Sequence, residues 1–342
     1  MHVLLRCDAT SAMGTGHAMR CLSLAQALNE DGIGTTFLFA ETVAALVGRL
    51  DREQIPHHRT GSKAGSAEDA RETIRTAESL GAEWIVVDGY QFDASYQREL
   101  KESGKRVLWI DDFGHAGEYC ADLVLNQNAY ANEAPYNRKS ANVRLLLGTK
   151  YVLLRREFRQ RAQARKEIAP LARRVLVMFG GSDPENYTAA ALEELRAFDS
   201  ENFEIKIIAG GANRNAEALR AAASRMSGVE LICNTQHMSE LLAWADLAVS
   251  AAGSASYELA YMGVSAIVAA IAENQAPLAE SLSNRGVALS LGRAKNGRLP
   301  GLGERVRALA KDFAARTTQS ASGQALVDGQ GCGRIAMLIS GI

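Results

Sequence analysis

The residues best suited to chemistry sit in glycine-containing stretches. In DATSAMGTGHAMR, Asp8 to Arg20, Gly14 and Gly16 allow tight backbone turns, and His17 falls where a helix should begin. A helix start carries partial positive charge and free N–H groups, which suit a phosphate or a developing anion. The same field disfavours an imidazolium, leaving His17 able to accept a proton from water. A dinucleotide fingerprint is excluded: Met19 stands where the third glycine is needed, and the loop ahead of the glycines is too long. Spacing alone also fits a histidine that only hydrogen-bonds backbone.

Three further loops share this character. In FGGSDPENYT, Phe179 to Thr188, Gly180 and Gly181 can bring amides close to a ligand, while Ser182 or Asp183 can cap the next helix. In SAAGSASYELA, Ser250 to Ala260, Gly253 turns and Ser254 caps. The amides there can hold a diphosphate, and Glu258, one turn in, can accept from ribose hydroxyls. In AENQ, Ala272 to Gln275, the carboxamides of Asn274 and Gln275 can bond a hydroxyl- or acetamido-bearing ligand. Each loop alone also reads as an ordinary turn, cap or polar loop. Asp88-Gly89-Tyr90 and Asp111-Asp112 complete the set. The aspartate pair invites a metal, yet no motif with ligand spacing accompanies it, so no metal and no cofactor is expected. Helix starts expected at Asp183–Glu185 and Ser254–Ser256 supply positive field instead, provided Asp183 turns back to cap its own helix.

What unites these loops is their placement after short apolar runs that read as strands. The runs are Val3–Leu5, Thr36–Phe39, Trp84–Asp88, Val107–Asp111, Leu123–Leu125 and Leu145–Leu147 in the first half. Val175–Phe179, Ile205–Ala209, Val229–Ile232, Leu247–Ser250, Ala266–Ala269 and Ala288–Leu291 follow in the second. They are continuous rather than alternating, as expected of strands covered by helices on both faces. Strand–helix alternation implies parallel, doubly wound α/β sheets, which bind ligands at the C-terminal ends of their strands. A length of 342 residues suggests two domains at about 150 residues each. The basic stretch Arg155–Arg174 marks the boundary, giving domains 1–158 and 159–342 with a cleft between them.

With 38 Lys plus Arg against 39 Asp plus Glu, the chain has no electrostatic reason to bind nucleic acid. Its five cysteines contain no C-x-x-C pair, which argues for free thiols in a reducing compartment. No signal peptide and no membrane span is expected, and the expected location is the cytoplasm. Oligomeric state is left open.

Taken in order, the motifs resemble a known family. They are R-x-D…G-x-G-H-x-x-R-C-L-x-L-A (Arg6, Asp8, Gly14, Gly16, His17, Arg20 to Ala25), VVDGY, IDDF, LNQNAYA, YVLLRREF, FGGSDPEN, SAAGSASYELAYMG, ENQ and DGQGCGRI. The set is similar to the UDP-2,4-diacetamido-2,4,6-trideoxy-β-L-altropyranose hydrolases of pseudaminic acid biosynthesis. The resemblance implies two Rossmann-like domains in a GT-B fold, UDP held mainly by the second, and metal-free attack of water on the anomeric carbon with inversion. It implies catalytic roles for His17, Tyr90 and Asn274. It places Arg6, Asp8, Gly14, Gly16, Arg20, Gly181, Ser182, Gly253, Ser254, Glu258 and Gln275 at the substrate. Related spore-coat polysaccharide glycosyltransferases share many of these motifs, so sugar transfer is the first alternative. A non-catalytic UDP-sugar-binding protein is the second.

Overall fold

The computed structural model describes residues 1–10, 13–161, 167–198 and 203–341. Ser11 and Ala12 of the glycine loop, and residues 162–166 of the basic stretch, lie outside them. The chain forms two compact units, Met1–Arg156 with Gly329–Ile342, and Glu157–Asp328.

The first unit is built on β1 (His2–Cys7), β2 (Gly34–Phe39), β3 (His57–Arg59), β4 (Trp84–Asp88), β5 (Arg106–Ile110), β6 (Leu123–Asn126) and β7 (Arg144–Leu147). They pair in the order β3-β2-β1-β4-β5-β6-β7, every neighbour parallel. Successive residues of β1 serve opposite cores. Val3, Leu5 and Cys7 join the helix Gly16–Glu30, while Leu4 joins Ile85, Val87 and Trp109 under the helices Ala67–Ser79 and Ala94–Glu102. Burial on both faces is why the strand shows no polar alternation. The winding reverses between β1 and β4; the helix that follows β1 begins with Gly16 and His17, and the loop after β4 carries Tyr90. Such a reversal opens a crevice at the strands' C-terminal ends.

The second unit repeats the plan with β8 (Arg174–Met178), β9 (Glu204–Ala209), β10 (Val229–Cys233), β11 (Leu247–Ala251), β12 (Ser265–Ala270) and β13 (Leu289–Arg293). The order is β10-β9-β8-β11-β12-β13, again parallel, with the reversal between β8 and β11. All twelve expected strands are present within two residues at either end. The strand not expected, β3, is the polar edge run His57-His58-Arg59. Among the described residues no helix is long and apolar enough to cross a membrane.

The expected domain ranges need correction. The division falls after Arg156, and the chain's last helix, Gly331–Ser340, belongs to the first unit. Ile335, Ala336 and Ile339 enter the core beside the helix Gly16–Glu30, and Trp84 Nε1 donates to the Ile339 carbonyl at 3.0 Å. Gly331 packs backbone to backbone on Tyr151 and Val152, where any Cβ would collide with the Val152 carbonyl. That contact gives DGQGCGRI a structural role. Gly331→Ala should therefore lower unfolding free energy by about 1–3 kcal/mol, the usual range for overpacking. Denaturant melts at wild-type stability would show that the helix shifts freely on its bed.

Candidate functional site

In the first unit, the spacing H-x-x-R puts His17 and Arg20 on one face of the helix Gly16–Glu30. That face meets Asp88, the last residue of β4. His17 Nδ1 lies 2.7 Å from Asp88 Oδ1. Arg20 Nη2 also lies 3.2 Å from this nitrogen, but its two hydrogens serve the nearer oxygens of Asp88 and Asp112. A carboxylate only accepts, so the assignment that satisfies Asp88 puts the ring proton on Nδ1 and leaves Nε2 as the acceptor nitrogen. Arg20 donates to Asp88 through Nε at 2.5 Å and Nη2 at 2.7 Å. It also donates to Asp112 through Nη1 at 2.8 Å and Nη2 at 3.1 Å. Asp112 accepts in addition from the Tyr90 hydroxyl at 2.7 Å and from Asn128 Nδ2 at 2.8 Å. The Tyr90 ring stands edge-on to His17, centroids 4.7 Å apart.

Burial opposes charge on Asp88 and Asp112, but the adjoining Arg20 outweighs it and both carboxyls are held below their ordinary range. Asp111 is spent locally, accepting from the Phe113 and Gly114 amides and the Tyr119 hydroxyl. His115 Nδ1 lies 3.1 Å from Asp111 Oδ2, an ionic contact poorly angled for a hydrogen bond. Burial pulls the His115 pKa down, and the Asp111 carboxylate more than reverses this, so it is raised.

The structure brings His17, Tyr90 and Arg20 together but reassigns three expected substrate contacts. Arg6 is fully buried, paired with Asp69 at 3.0 and 2.9 Å and with Asp8 at 2.9 Å. Asp8 accepts from the Ala40 and Glu41 amides and from Gln91 Nε2. Both tie β1 to neighbouring loops, and neither presents its polar end to solvent. Arg20 is likewise turned onto Asp88 and Asp112. Gly14 takes a left-handed φ of 80° and donates to the Thr10 carbonyl, closing the loop, while Gly16 opens the helix with empty space around it. Asp88 was expected only as a candidate at a strand end, with no partner or role, and Asn128 only as part of the LNQNAYA motif. Their signal was position at the ends of β4 and β6.

In the second unit, Gly181 packs on the Gly210 backbone, which leaves no room for a Cβ on Gly210. Ser182 is nearly buried beside it. Asp183 does turn back: its oxygens accept from the Tyr187 and Thr188 amides at 2.8 Å each. The helix it caps starts at Tyr187, not at Asp183–Glu185 as expected. Ser254 precedes the helix Ala255–Tyr261, but its side chain makes no capping bond, a second correction. Gly253 and Gln275 come together, a Cβ on the glycine falling 3.9 Å from Gln275 Nε2. Gln275 Oε1 accepts from the Ile271 amide at 3.0 Å, pinning the turn that exposes Asn274. Glu258 is half-buried in the helix. No group of three His, Cys, Asp or Glu residues suited to a metal occurs among the described residues.

Residues 175–321 match the glycosyltransferase family 28 C-terminal domain. The chain is 25% identical over 348 residues to the spore coat polysaccharide biosynthesis protein SpsG of Bacillus subtilis, covering 99% of this chain and 98% of that one. It is 24% identical over 288 residues to the UDP-2,4-diacetamido-2,4,6-trideoxy-beta-L-altropyranose hydrolase of Campylobacter jejuni, covering 84% and 97%. It is also 25% identical over 280 residues to an uncharacterized protein of Methanocaldococcus jannaschii, matching 78% of this chain but only 55% of that protein. Among solved structures, Acinetobacter baumannii MurG aligns with a TM-score of 0.64 at 17% identity, over 100% of this chain and 99% of that one. Anabaena HepE in complex with UDP and glucose aligns at 0.63 and 14% identity, over 99% of each. The two parallel-sheet α/β units are those of the GT-B fold, as the sequence led one to expect.

The buried charges set a pH dependence whose sign differs at each end. The lowered Asp112 carboxyl contributes stability that is complete above its ordinary pKa of about 4 and is lost as pH falls. The raised His115 contributes stability that is complete below about pH 6.5 and is lost as pH rises through its folded value. The gap in melting temperature between wild type and His115→Gln should therefore shrink from pH 6 to pH 9, and that for Asp112→Asn from pH 5 to pH 3. A constant gap across either range would remove that residue from the charge network.

Proposed function

We propose that the chain is a UDP-sugar hydrolase acting on a UDP-linked 2,4-diacetamido-2,4,6-trideoxyhexose. The observation that carries this reading is the His17–Asp88 pair: with its proton on Nδ1 and held by a carboxylate, the ring offers Nε2 to a water molecule. Water oxygen attacks the anomeric carbon, its proton passes to Nε2, and the C1–O bond breaks with its electron pair leaving on UDP. Attack opposite the leaving group inverts the centre. Tyr90, beside His17, and Asn274, exposed on its turn, are assigned to sugar contacts. The amides around Gly181, Ser182, Gly253 and Ser254 are assigned to the diphosphate, Glu258 to the ribose and Gln275 to bracing that loop. Similarity to the Campylobacter hydrolase over 97% of its length supports the reaction.

A second reading, transfer of the sugar to an acceptor other than water, is supported by the glycosyltransferase family 28 match and by the full-length similarity to SpsG. A protein that binds UDP-sugars without reaction is the third. Incubation with the altrose-configured UDP-sugar separates them by NMR. Free sugar plus UDP without any acceptor supports hydrolysis, acceptor-dependent UDP release supports transfer, and binding without release supports the third.

Three outcomes are expected of the hydrolase. His17→Ala should cut turnover about 10²–10⁴-fold, the usual worth of a general base, with UDP affinity unchanged. Parallel loss of both would make His17 structural. Glu258→Ala should weaken UDP binding by about 1.5–3 kcal/mol, as for a charge-assisted hydrogen bond, and wild-type affinity by calorimetry would place the carboxylate away from ribose. Because Asp183, the carboxylate of its phosphate loop, is spent on its own helix, activity should persist in excess EDTA. A rate abolished by EDTA and restored by Mg²⁺ or Mn²⁺ would overturn metal independence.

A further inference from the structure

Arg20 is spoken for by the protein itself. Each of its three guanidinium nitrogens donates to carboxylate oxygen, and the side chain is only 8% exposed. What distinguishes it from an ordinary buried arginine is what its two carboxylates do next. Asp88 holds the Nδ1 side of His17, and Asp112 holds the Tyr90 hydroxyl. His17 comes from the first turn of the helix after β1 and Tyr90 from the loop after β4, and the two rings meet edge to face. Among the described residues they are linked by side-chain hydrogen bonds through Asp88–Arg20–Asp112, and Arg20 Nη2 also lies 3.2 Å from His17 Nδ1.

From this linkage we infer that Arg20 is a positioning residue that locks His17 and Tyr90 into a single arrangement and does not itself meet the substrate. The inference rests on the hydrolase reading for its kinetic consequence, but not for its structural one. Shape matters here as much as charge. A planar guanidinium presents several donors in a fixed fork and can grip two carboxylates at once in set directions. An ammonium group is a point donor on a flexible stem, and it leaves the relative orientation of Asp88 and Asp112 undefined. Asn128 also holds Asp112, from the end of β6, so the Tyr90 arm keeps one anchor without Arg20. Among the described residues Asp88 has no comparable reserve, since its remaining side-chain donors are His17 itself and a long 3.7 Å contact from Cys21 Sγ. Loss of the fork therefore falls chiefly on the histidine, whose proton is then free to move between its two nitrogens. Misplacement of a reacting group by about 1 Å can cost about 10²-fold in rate.

The test substitutes Arg20→Lys, which keeps the charge and removes the fork. Imidazole ¹⁵N NMR of His17 in the wild type should show the proton on Nδ1, and in Arg20→Lys a substantial population with the proton on Nε2. In the same variant kcat should fall about 10–100-fold, with KM and UDP affinity within about twofold of wild type. A raised KM with kcat and the His17 proton unchanged would make Arg20 a substrate-binding residue and overturn the inference, as would wild-type behaviour throughout. The NMR arm uses no substrate. A wild-type protein that releases no UDP defeats the hydrolase reading, while an unmoved His17 proton in the variant defeats the clamp. If Arg20→Lys does not fold, Asp112→Asn is the second variant: it should lower kcat in the wild type and much less in a His17→Ala background. Equal factors in both backgrounds would show that the two arms act independently and overturn the linkage.

Discussion

One guanidinium facing four carboxylate oxygens is the constraint around which the first unit's site is organised. Withdrawing an ion from water costs several kcal/mol even after relaxation, and such groups persist only where their partners are matched in number and direction. Asp88, Asp111 and Asp112 are all buried within two neighbouring strand ends. Arg20 balances the first and last of them. Backbone amides, Tyr119 and His115 satisfy the middle one. The cluster is therefore rigid for an electrostatic reason: any rotation that frees one oxygen leaves a desolvated charge behind.

A second arginine does related work at the base of the same loop. Arg6 sits between Asp69 and Asp8, with the Phe92 ring 4.9 Å from its guanidinium carbon. Asp69 also accepts from the Gly65 amide, and Asp8 from the amides that follow β2. These bonds tie the exit of β1 to three separate loops before the glycine-rich stretch begins. The chain thus enters that stretch from a fixed anchor, and Gly14 closes it with a left-handed turn that a residue bearing Cβ would strain. In the second unit the ion pair at these loops, Arg293 with Glu273 at 2.7 Å, lies at the surface. That unit's loops are braced by close backbone packing at Gly181 and Gly210 and by the Gln275 side chain.

Much of this arrangement was legible in the residues. Twelve apolar runs marked twelve strands, most of them buried on both faces and the edge strands β7, β10 and β13 only partly buried, whereas β3 escaped because His57, His58 and Arg59 make a polar edge run. Placement of the loops at strand ends followed from the alternation of strands and helices. What the residues could not reveal was partnership. R-x-D places Arg6 and Asp8 on the same side of an extended chain, where an ion pair to a ligand and an internal one look alike. Asp69, which decides the matter, is 63 residues away. Asp88 is 71 residues from His17, so the pair that orients the ring exists only once β1 and β4 are neighbours. Ser254 was misread for a local reason: it has the right side chain for a cap but a helical backbone, φ −56° and ψ −30°, from which that bond is not made.

The return of residues 329–341 to the first unit has a consequence for how the chain acquires its structure during synthesis. The second unit is an uninterrupted stretch, Glu157–Asp328, and all of its strands are available before the last helix has been made. The first unit is completed only when Cys332, Ile335, Ala336 and Ile339 reach the apolar face left open beside the helix Gly16–Glu30. Closing that gap brings together residues about three hundred positions apart, at an entropic cost that grows only logarithmically with the loop, and a folded second unit shortens the effective loop further. Domains generally fold as units in the order they emerge. Here the unit whose strands emerge first is the one that must wait, holding an uncovered strip of sheet and helix until residues 331–340 arrive.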